Sequence, residues 1–382
     1  MKVLFLTTIL PITPRSGGEI VSKLYIDNLM ALGYSVDVLG YLRKGDTVEI
    51  PYNMHLAKNI VIESNTSKLF TLLNIAKSYI FNRCYSAQKY ITKEYIKLIK
   101  LFLSQNDYQL VIIDHFQMGW VLKYLPPGSK IISISHNMES DLYEQLSRSY
   151  SRNSILHYIY KKEAKKMRLI EKQLMNSSLF VWMLTSDNRE RYRQLLSNCE
   201  EKMKVVCIPP SNISSDFYMA GEEKKWDIGI LGTWTWKANN DGLKWFFEEV
   251  YPLLSTSISI RVAGLGADWL LNKYKNVLYV GFVEDANRFM NNSKVIAIPS
   301  IAGDGIQIKT IQAISLGQKI VATSFALRGI DNLPVYVSQA DSPIEFKEKL
   351  MSMIYMEEQD YRKDAIYWCN DRKEQFINSL VF

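Results

Sequence analysis

Pro299-Ser300-Ile301-Ala302-Gly303-Asp304-Gly305-Ile306-Gln307-Ile308-Lys309-Thr310-Ile311-Gln312-Ala313-Ile314-Ser315-Leu316-Gly317-Gln318-Lys319-Ile320-Val321-Ala322-Thr323 is the stretch from which the fold can be read. Val295 to Pro299 and Lys319 to Thr323 are short apolar runs with the composition of buried strands. Between them a glycine-bounded turn predicts a helix that opens at Gly305 and stops at Gly317. A strand, loop, helix and strand in this order make a unit of parallel sheet whose helix N-terminus emerges at the carboxyl edge. Free backbone N–H groups gather there and the helix dipole favours an anion, so a diphosphate is a natural guest. Asp304 is placed to cap the helix, and Lys309 and Gln312, three apart, share one exposed stripe.

The same residues carry a family resemblance. A strand ending in Pro-Ser, a Gly-x-Gly loop, Ile-x-Ile-Lys, an alanine, a glycine and then Ile-Val-Ala-Thr-Ser resembles the nucleotide-sugar half of GT-B glycosyltransferases, specifically the retaining family 4 enzymes. The resemblance implies an α/β chain of two doubly wound Rossmann-like domains facing across a cleft. It also implies that Gly305 and Ile306 lie against the donor. In that family two acidic residues eight positions apart bracket the donor, and those positions fall on Asp304 and Gln312. Asp304 keeps a carboxylate. Gln312 offers one acceptor oxygen to the ribose hydroxyls where a carboxylate offers two, an expected weakening of about 1–2 kcal/mol.

Composition agrees with a two-domain α/β enzyme. The 382 residues are 47% hydrophobic and 22% charged, enough for two cores, and no apolar run reaches membrane-spanning length. Met1-Lys2 followed by Val3 to Leu10 imitates a short signal peptide, but Gly17-Gly18 continue it as a first βα turn, so the run reads as a strand. Cys84, Cys199, Cys207 and Cys369 show no metal or disulfide spacing, which suits a reducing cytoplasm. Residues 1–215 hold 28 Lys+Arg against 18 Asp+Glu, or +10, and the remainder 18 against 21, or −3. No nucleic-acid-binding signature accompanies the basic half, and nucleic acid is not expected as a partner.

In the first half, Val3 to Thr8 reads as a strand and the helix after Gly17-Gly18 runs to about Leu32. The glycine pair would let backbone approach a phosphate or sugar; a plain loop pair is the alternative. Val111 to Asp114 and Ile131 to Ser135 predict two more strands, followed by His115 and by His136. Both histidines thus sit on the rim where open α/β sheets keep ligands, although either could merely close a loop. In the family, a histidine from this rim often meets the donor sugar, so His115 and then His136 are the candidates. Ser154 to about Asn176 reads as one helix with Tyr158, Lys161, Lys162, Lys165, Lys166 and Arg168, either a solvated face or a dock for anionic headgroups. Ser186-Asp187-Asn188 should cap the helix that follows Leu184.

Pro209-Pro210-Ser211-Asn212 breaks the pattern. We therefore expect domains over 1–212 and 213–355 and a terminal helical segment over 356–382, and the resemblance implies that the first takes the acceptor and the second the nucleotide-sugar. The resemblance implies that this segment crosses back to the first domain, with Trp368 and Phe376 as core anchors. Trp226 to Leu231 opens the second domain, and Gly232-Thr233-Trp234 through Gly242, with Trp245-Phe246 behind, resembles the family's glycine loop. Many members carry an arginine just after that glycine. Here it is Thr233, so the resemblance leaves Lys237 and Lys309 as cations for the donor diphosphate, each with the alternative of a solvated lysine. Phe282-Val283 resembles the loop beside the nucleobase. No GxGxxG with a downstream ribose acid and no Asp-x-Asp triplet occurs, which argues against a nicotinamide cofactor and against a metal-dependent transferase; no cofactor is expected.

Together these readings imply transfer of a sugar from a nucleoside-diphosphate-sugar to the hydroxyl of a saccharide or lipid-linked saccharide, with retention of configuration and without metal. The chain would work in the cytoplasm, on the inner membrane face if the basic half meets anionic lipid. The competing reading, supported by Gln312 and Thr233, is a non-catalytic subunit that binds a partner protein.

Overall fold

Val3, Leu4, Phe5 and Leu6 are apolar without alternation, the pattern of a strand covered on both faces. They form the middle of β1 (Lys2–Ile9), with Phe5 opposite Val38 on one side and Ile112 on the other. Around it lie β2 (Ser35–Arg43), β3 (Met54–Ile60), β4 (Leu110–Asp114), β5 (Ile131–Ser135), β6 (Phe180–Met183) and β7 (Met203–Val205), in the order β3-β2-β1-β4-β5-β6-β7. Neighbouring strands are parallel throughout. The winding direction reverses between β1 and β4, so their carboxyl ends open a crevice.

The computed structural model describes residues 1–60, 68–195, 197–208, 210, 224–303, 305–357 and 359–379. The chain divides into two compact units, Met1–Val206 and Cys207–Phe382. The expected linker falls almost wholly outside the described residues. The second unit repeats the plan of the first with β8 (Trp226–Leu231), β9 (Ile260–Ala263), β10 (Val277–Gly281), β11 (Ser293–Ile298), β12 (Ile320–Ala322) and β13 (Val337–Gln339). Their order is β10-β9-β8-β11-β12-β13, again parallel, with the reversal between β8 and β11. Each unit has its own core: Leu4, Leu39, Ile113, Met167 and Leu174 in the first, Ile228, Ile230, Phe246, Val262 and Phe346 in the second.

Two local expectations are corrected. The helix after β11 spans Ile308–Ser315 and does not open at Gly305. Gly303 and Gly305 have φ of +118° and +78°, a left-handed conformation from which a right-handed helix cannot start. Asp304, expected as its cap, lies outside the described residues. The helix Ser186–Leu195 is capped by the residue before it, Thr185, whose Oγ1 accepts from Asn188 N at 3.2 Å. The Ser186-Asp187-Asn188 cap is therefore one residue too late.

Helix Arg362–Ser379 buries Trp368 and Phe376, and the Arg372 Nε in its middle donates to the Ile208 carbonyl at 3.2 Å. All four cysteines are free. Among the described residues no helix is long and apolar enough to cross a membrane.

Candidate functional site

In the first unit the crevice between β1 and β4 is organised by a fully buried carboxylate, Asp114. Its Oδ2 accepts from Thr7 Oγ1 at 2.7 Å and Ser22 Oγ at 2.6 Å, and its Oδ1 lies 2.6 Å from His136 Nε2. Burial works against the charge of Asp114, but His115, His136 and the hydrogen bonds outweigh it and hold the carboxyl below the usual carboxylate range. His115 turns out of β4 with φ +68° and stacks on His136, centroids 3.9 Å apart and planes 15° apart. Burial pushes His115 down to about 4 despite the Asp114 carboxylate, so the ring is neutral at neutral pH and can both donate and accept.

The glycine pair comes to the same place. Gly17 starts helix Gly17–Ala31, and a Cβ on Gly18 would sit 3.0 Å from His115 Cε1 and 3.8 Å from His136 Nδ1. The missing side chain keeps the histidine stack open at this rim. His136 Nδ1 is buried without a hydrogen-bond partner among the described residues. Donor atoms of Asp114, His115 and His136 lie within 4.8 Å of one another, a spacing that a metal could use. The stacked rings argue against it: imidazole lone pairs lie in the ring plane, and two parallel planes cannot aim both pairs at one ion. Asp114 is moreover already engaged by three donors. The helix that follows His136, Glu139–Arg148, is pinned by buried Glu171, whose Oε1 accepts from Ser140 N at 2.9 Å.

In the second unit the loops leaving β8, β9 and β11 meet. Gly264 (φ +109°) lies so close to the β8 loop that a Cβ would fall 1.6 Å from the Gly232 carbonyl oxygen. Trp234 fills the junction, buried, with Nε1 donating to the Ala263 carbonyl at 2.9 Å. Lys309, in the first turn of helix Ile308–Ser315, holds its Nζ 5.5 Å from the centroid of the Trp234 ring. Burial pushes its pKa down to about 8. An ammonium held with so little solvation gains strongly from an arriving anion.

The other expected donor residues are distributed around this edge. Thr233 is exposed, its carbonyl accepting from Asn239 Nδ2 at 3.0 Å. Gly305 is buried and Ile306 half-buried in the turn before Lys309. Gln312 Nε2 donates to Asn287 Oδ1 at 2.6 Å. Phe282 is exposed just beyond Gly281, where β10 ends, and Val283 is half-buried beside it. Lys237 differs from Lys309: its side chain is 86% exposed and pairs with Asp241 at 2.6 Å. Such a surface pair contributes little and leaves Lys237 among solvated groups.

The sequence reading missed Arg328. Its Nη2 donates to the Gly303 carbonyl at 2.9 Å, its Nε is buried without a partner among the described residues, and the guanidinium lies 5.0 Å from the Phe325 ring centroid. The only signal was a cation in the loop leaving β12. Asp114 was also passed over as the end of a strand, although it directly precedes His115.

Residues 225–355 match the protein family described as Glycosyl transferases group 1. The chain is built on the GT-B glycosyltransferase fold. This GT-B chain is similar over 99% of its length to 94% of sucrose-phosphate synthase from Thermosynechococcus elongatus, with 13% identity and a TM-score of 0.62. Anabaena HepE, solved in complex with UDP and glucose, is 13% identical with a TM-score of 0.60, covering 100% of this chain and 99% of its own. WaaG, a glycosyltransferase involved in lipopolysaccharide biosynthesis, is 14% identical with a TM-score of 0.58, covering 98% and 95%. No curated protein sequence matches the chain.

Proposed function

We propose that the protein is a retaining, metal-independent hexosyltransferase that moves a sugar from a nucleoside-diphosphate-sugar to an acceptor hydroxyl on a saccharide or lipid-linked saccharide, in surface polysaccharide or glycoconjugate assembly. The observation that carries the reading is the carboxyl edge of the second sheet. There two left-handed glycines lead into a helix N-terminus whose first turn holds a desolvated lysine, Lys309, with Arg328 tied to the same turn. Backbone N–H groups, the helix dipole, Lys309 in the first turn and Arg328 reaching in from the loop after β12 suit a diphosphate. Two solved structures of the same fold were obtained with UDP or UDP-glucose, which supports a nucleoside diphosphate as the donor's leaving part.

In the proposed reaction the bond from the anomeric carbon to the diphosphate oxygen breaks, and its electron pair stays on the diphosphate. The acceptor oxygen bonds to that carbon on the same face, and its proton passes to the departing diphosphate. Lys309, Arg328 and the helix N-terminus stabilise the charge that develops there. The His115–His136 stack, opened by Gly18 and with His115 neutral, orients substrate hydroxyls.

Thermal unfolding with UDP-, GDP-, ADP- and dTDP-sugars tests the donor site, because a ligand that binds only the folded chain raises the melting temperature. A shift with one base is expected. No shift with any donor would instead favour a non-catalytic subunit.

A further inference from the structure

Helix Glu139–Arg148 begins without a cap of its own. The residue before its first turn is Met138, whose side chain makes no hydrogen bond to the open backbone N–H groups. The acceptor comes from another helix: Glu171, in Ile155–Ser177, takes Ser140 N on its Oε1 at 2.9 Å. The same oxygen accepts from Tyr192 Oη at 3.1 Å, in helix Ser186–Leu195. Tyr192 Oη in turn lies 3.4 Å from Ser135 Oγ, which is 3.1 Å from the Asn137 carbonyl. His136 therefore stands between two anchored residues, Ser135 before it and Ser140 after it. Both anchors end on one carboxyl group.

That group is set to change its charge near neutrality. Glu171 is 1% exposed, and burial pushes its pKa up to about 7 against the hydrogen bonds from Ser140 and Tyr192. Glu139, in the first turn of the capped helix, repels the charge further. Among the described residues no cation pairs with it. Arg168 from its own helix and Arg191 from the helix of Tyr192 both turn to Asp141, at 3.8 and 3.3 Å, and Lys165 and Lys172 are exposed. The ionised carboxyl holds Ser140 N more tightly than the neutral acid does, because a charged acceptor shortens a hydrogen bond and a helix N-terminus favours an anion. Proton loss thus draws Ser140 toward Glu171, and the short segment back to Ser135 carries the pull to the His136 ring.

We infer that Glu171 is a positioning residue for His136: with Tyr192 it holds the chain on both sides of that histidine, and its gain or loss of a proton moves the imidazole. The inference rests on the proposed role of the His115–His136 stack in orienting substrate hydroxyls, and adds a control by pH to that site.

The test is NMR of the full chain, isotope-labelled at histidine Cε1, with no ligand added. Four histidines give four resonances, and His136→Asn identifies the one sought. Glu171→Gln keeps the acceptor oxygen and stays uncharged at every pH. The His136 resonances of wild type and Glu171→Gln should lie close together at about pH 5.5, where Glu171 holds its proton, and move apart by about pH 8.5, where it does not. His55, on β3 at the far edge of the sheet, should be the same in the two proteins. Tyr192→Phe, which removes the second link, should displace the His136 resonance at both pH values. Melting temperature checks the charge itself. A carboxyl whose folded pKa lies above its unfolded one loses its stabilising contribution as pH rises through the folded value, so wild type should lose more stability than Glu171→Gln over the same range. The inference is overturned if the His136 resonances agree at both pH values, if His55 moves as far, if Tyr192→Phe leaves His136 in place, or if the two melting temperatures follow pH alike. No nucleotide takes part, so a separation at His136 without any shift in melting temperature from a nucleotide-sugar would count against the transferase reading alone.

Discussion

Lys309 is the residue whose chemistry is most changed by its surroundings. Its folded pKa of about 8 lies below the ordinary 10.5, so the ammonium persists below pH 8 and is lost as pH rises through it. Affinity for a nucleoside diphosphate should therefore fall between pH 7 and pH 9, measured by calorimetry. Lys309→Ala should remove that pH dependence and about 1.5–3 kcal/mol of binding, the range for a hydrogen bond to a charged group. Its melting temperature should stay near wild type, since Lys309 is half-buried and has no ion-pair partner to strand among the described residues. Equal losses of binding and stability would make Lys309 a structural residue. His115 belongs to the same scale: its neutrality follows from burial, which outweighs the pull of the adjacent Asp114 carboxylate.

At the scale of elements, the second unit's edge depends on two loops passing each other at a glycine. Gly264 has both a positive φ and no room for a Cβ against the Gly232 carbonyl. Gly264→Ala should cost about 3 kcal/mol or more, the sum of backbone strain and a displaced loop, and should carry away nucleotide binding as the β8 loop shifts. Gly33 supplies the comparison, since its φ is +83° and nothing lies within 4 Å of the added carbon. Gly33→Ala should cost only about 1 kcal/mol and leave binding alone. Thermal unfolding of the two variants, side by side, separates strain from crowding. The start of helix Ile308–Ser315 follows the same logic: two left-handed glycines delay it by three residues and turn its open N–H groups toward the sheet edge.

Over the whole molecule, two parallel sheets each present a carboxyl edge with a different chemistry. The first edge carries stacked imidazoles on a buried carboxylate, and the second carries Lys309 in the first turn of a helix and Arg328 tied to the Gly303 carbonyl in the loop before it. Hydrogen exchange with and without a nucleoside diphosphate should therefore gain protection at Gly232–Trp236, Gly281–Asp285, Ile306–Lys309 and Ser324–Arg328. It should change little at the opposite edge of the same sheet. Protection spread evenly over the second unit would mean general stiffening and would count against a localised diphosphate site.

The sequence by itself determined the parallel α/β plan, because unbroken apolar runs alternating with helices have no other way to bury both faces. It also placed His115 and His136 just beyond strand ends, Gly18 in the first βα turn and Lys309 on the helix after the glycine loop, since motif spacing along a strand, turn and helix is a local property. Tertiary structure alone decided what those residues touch. Asp114 meets His136 across 22 positions and Arg328 meets Gly303 across 25, through the pairing order of strands that no periodicity records. The cap of helix Glu139–Arg148 was equally out of reach. Met138 shows that the helix lacks one of its own, but the acceptor that replaces it depends on which helix packs alongside, and here that helix offers Glu171.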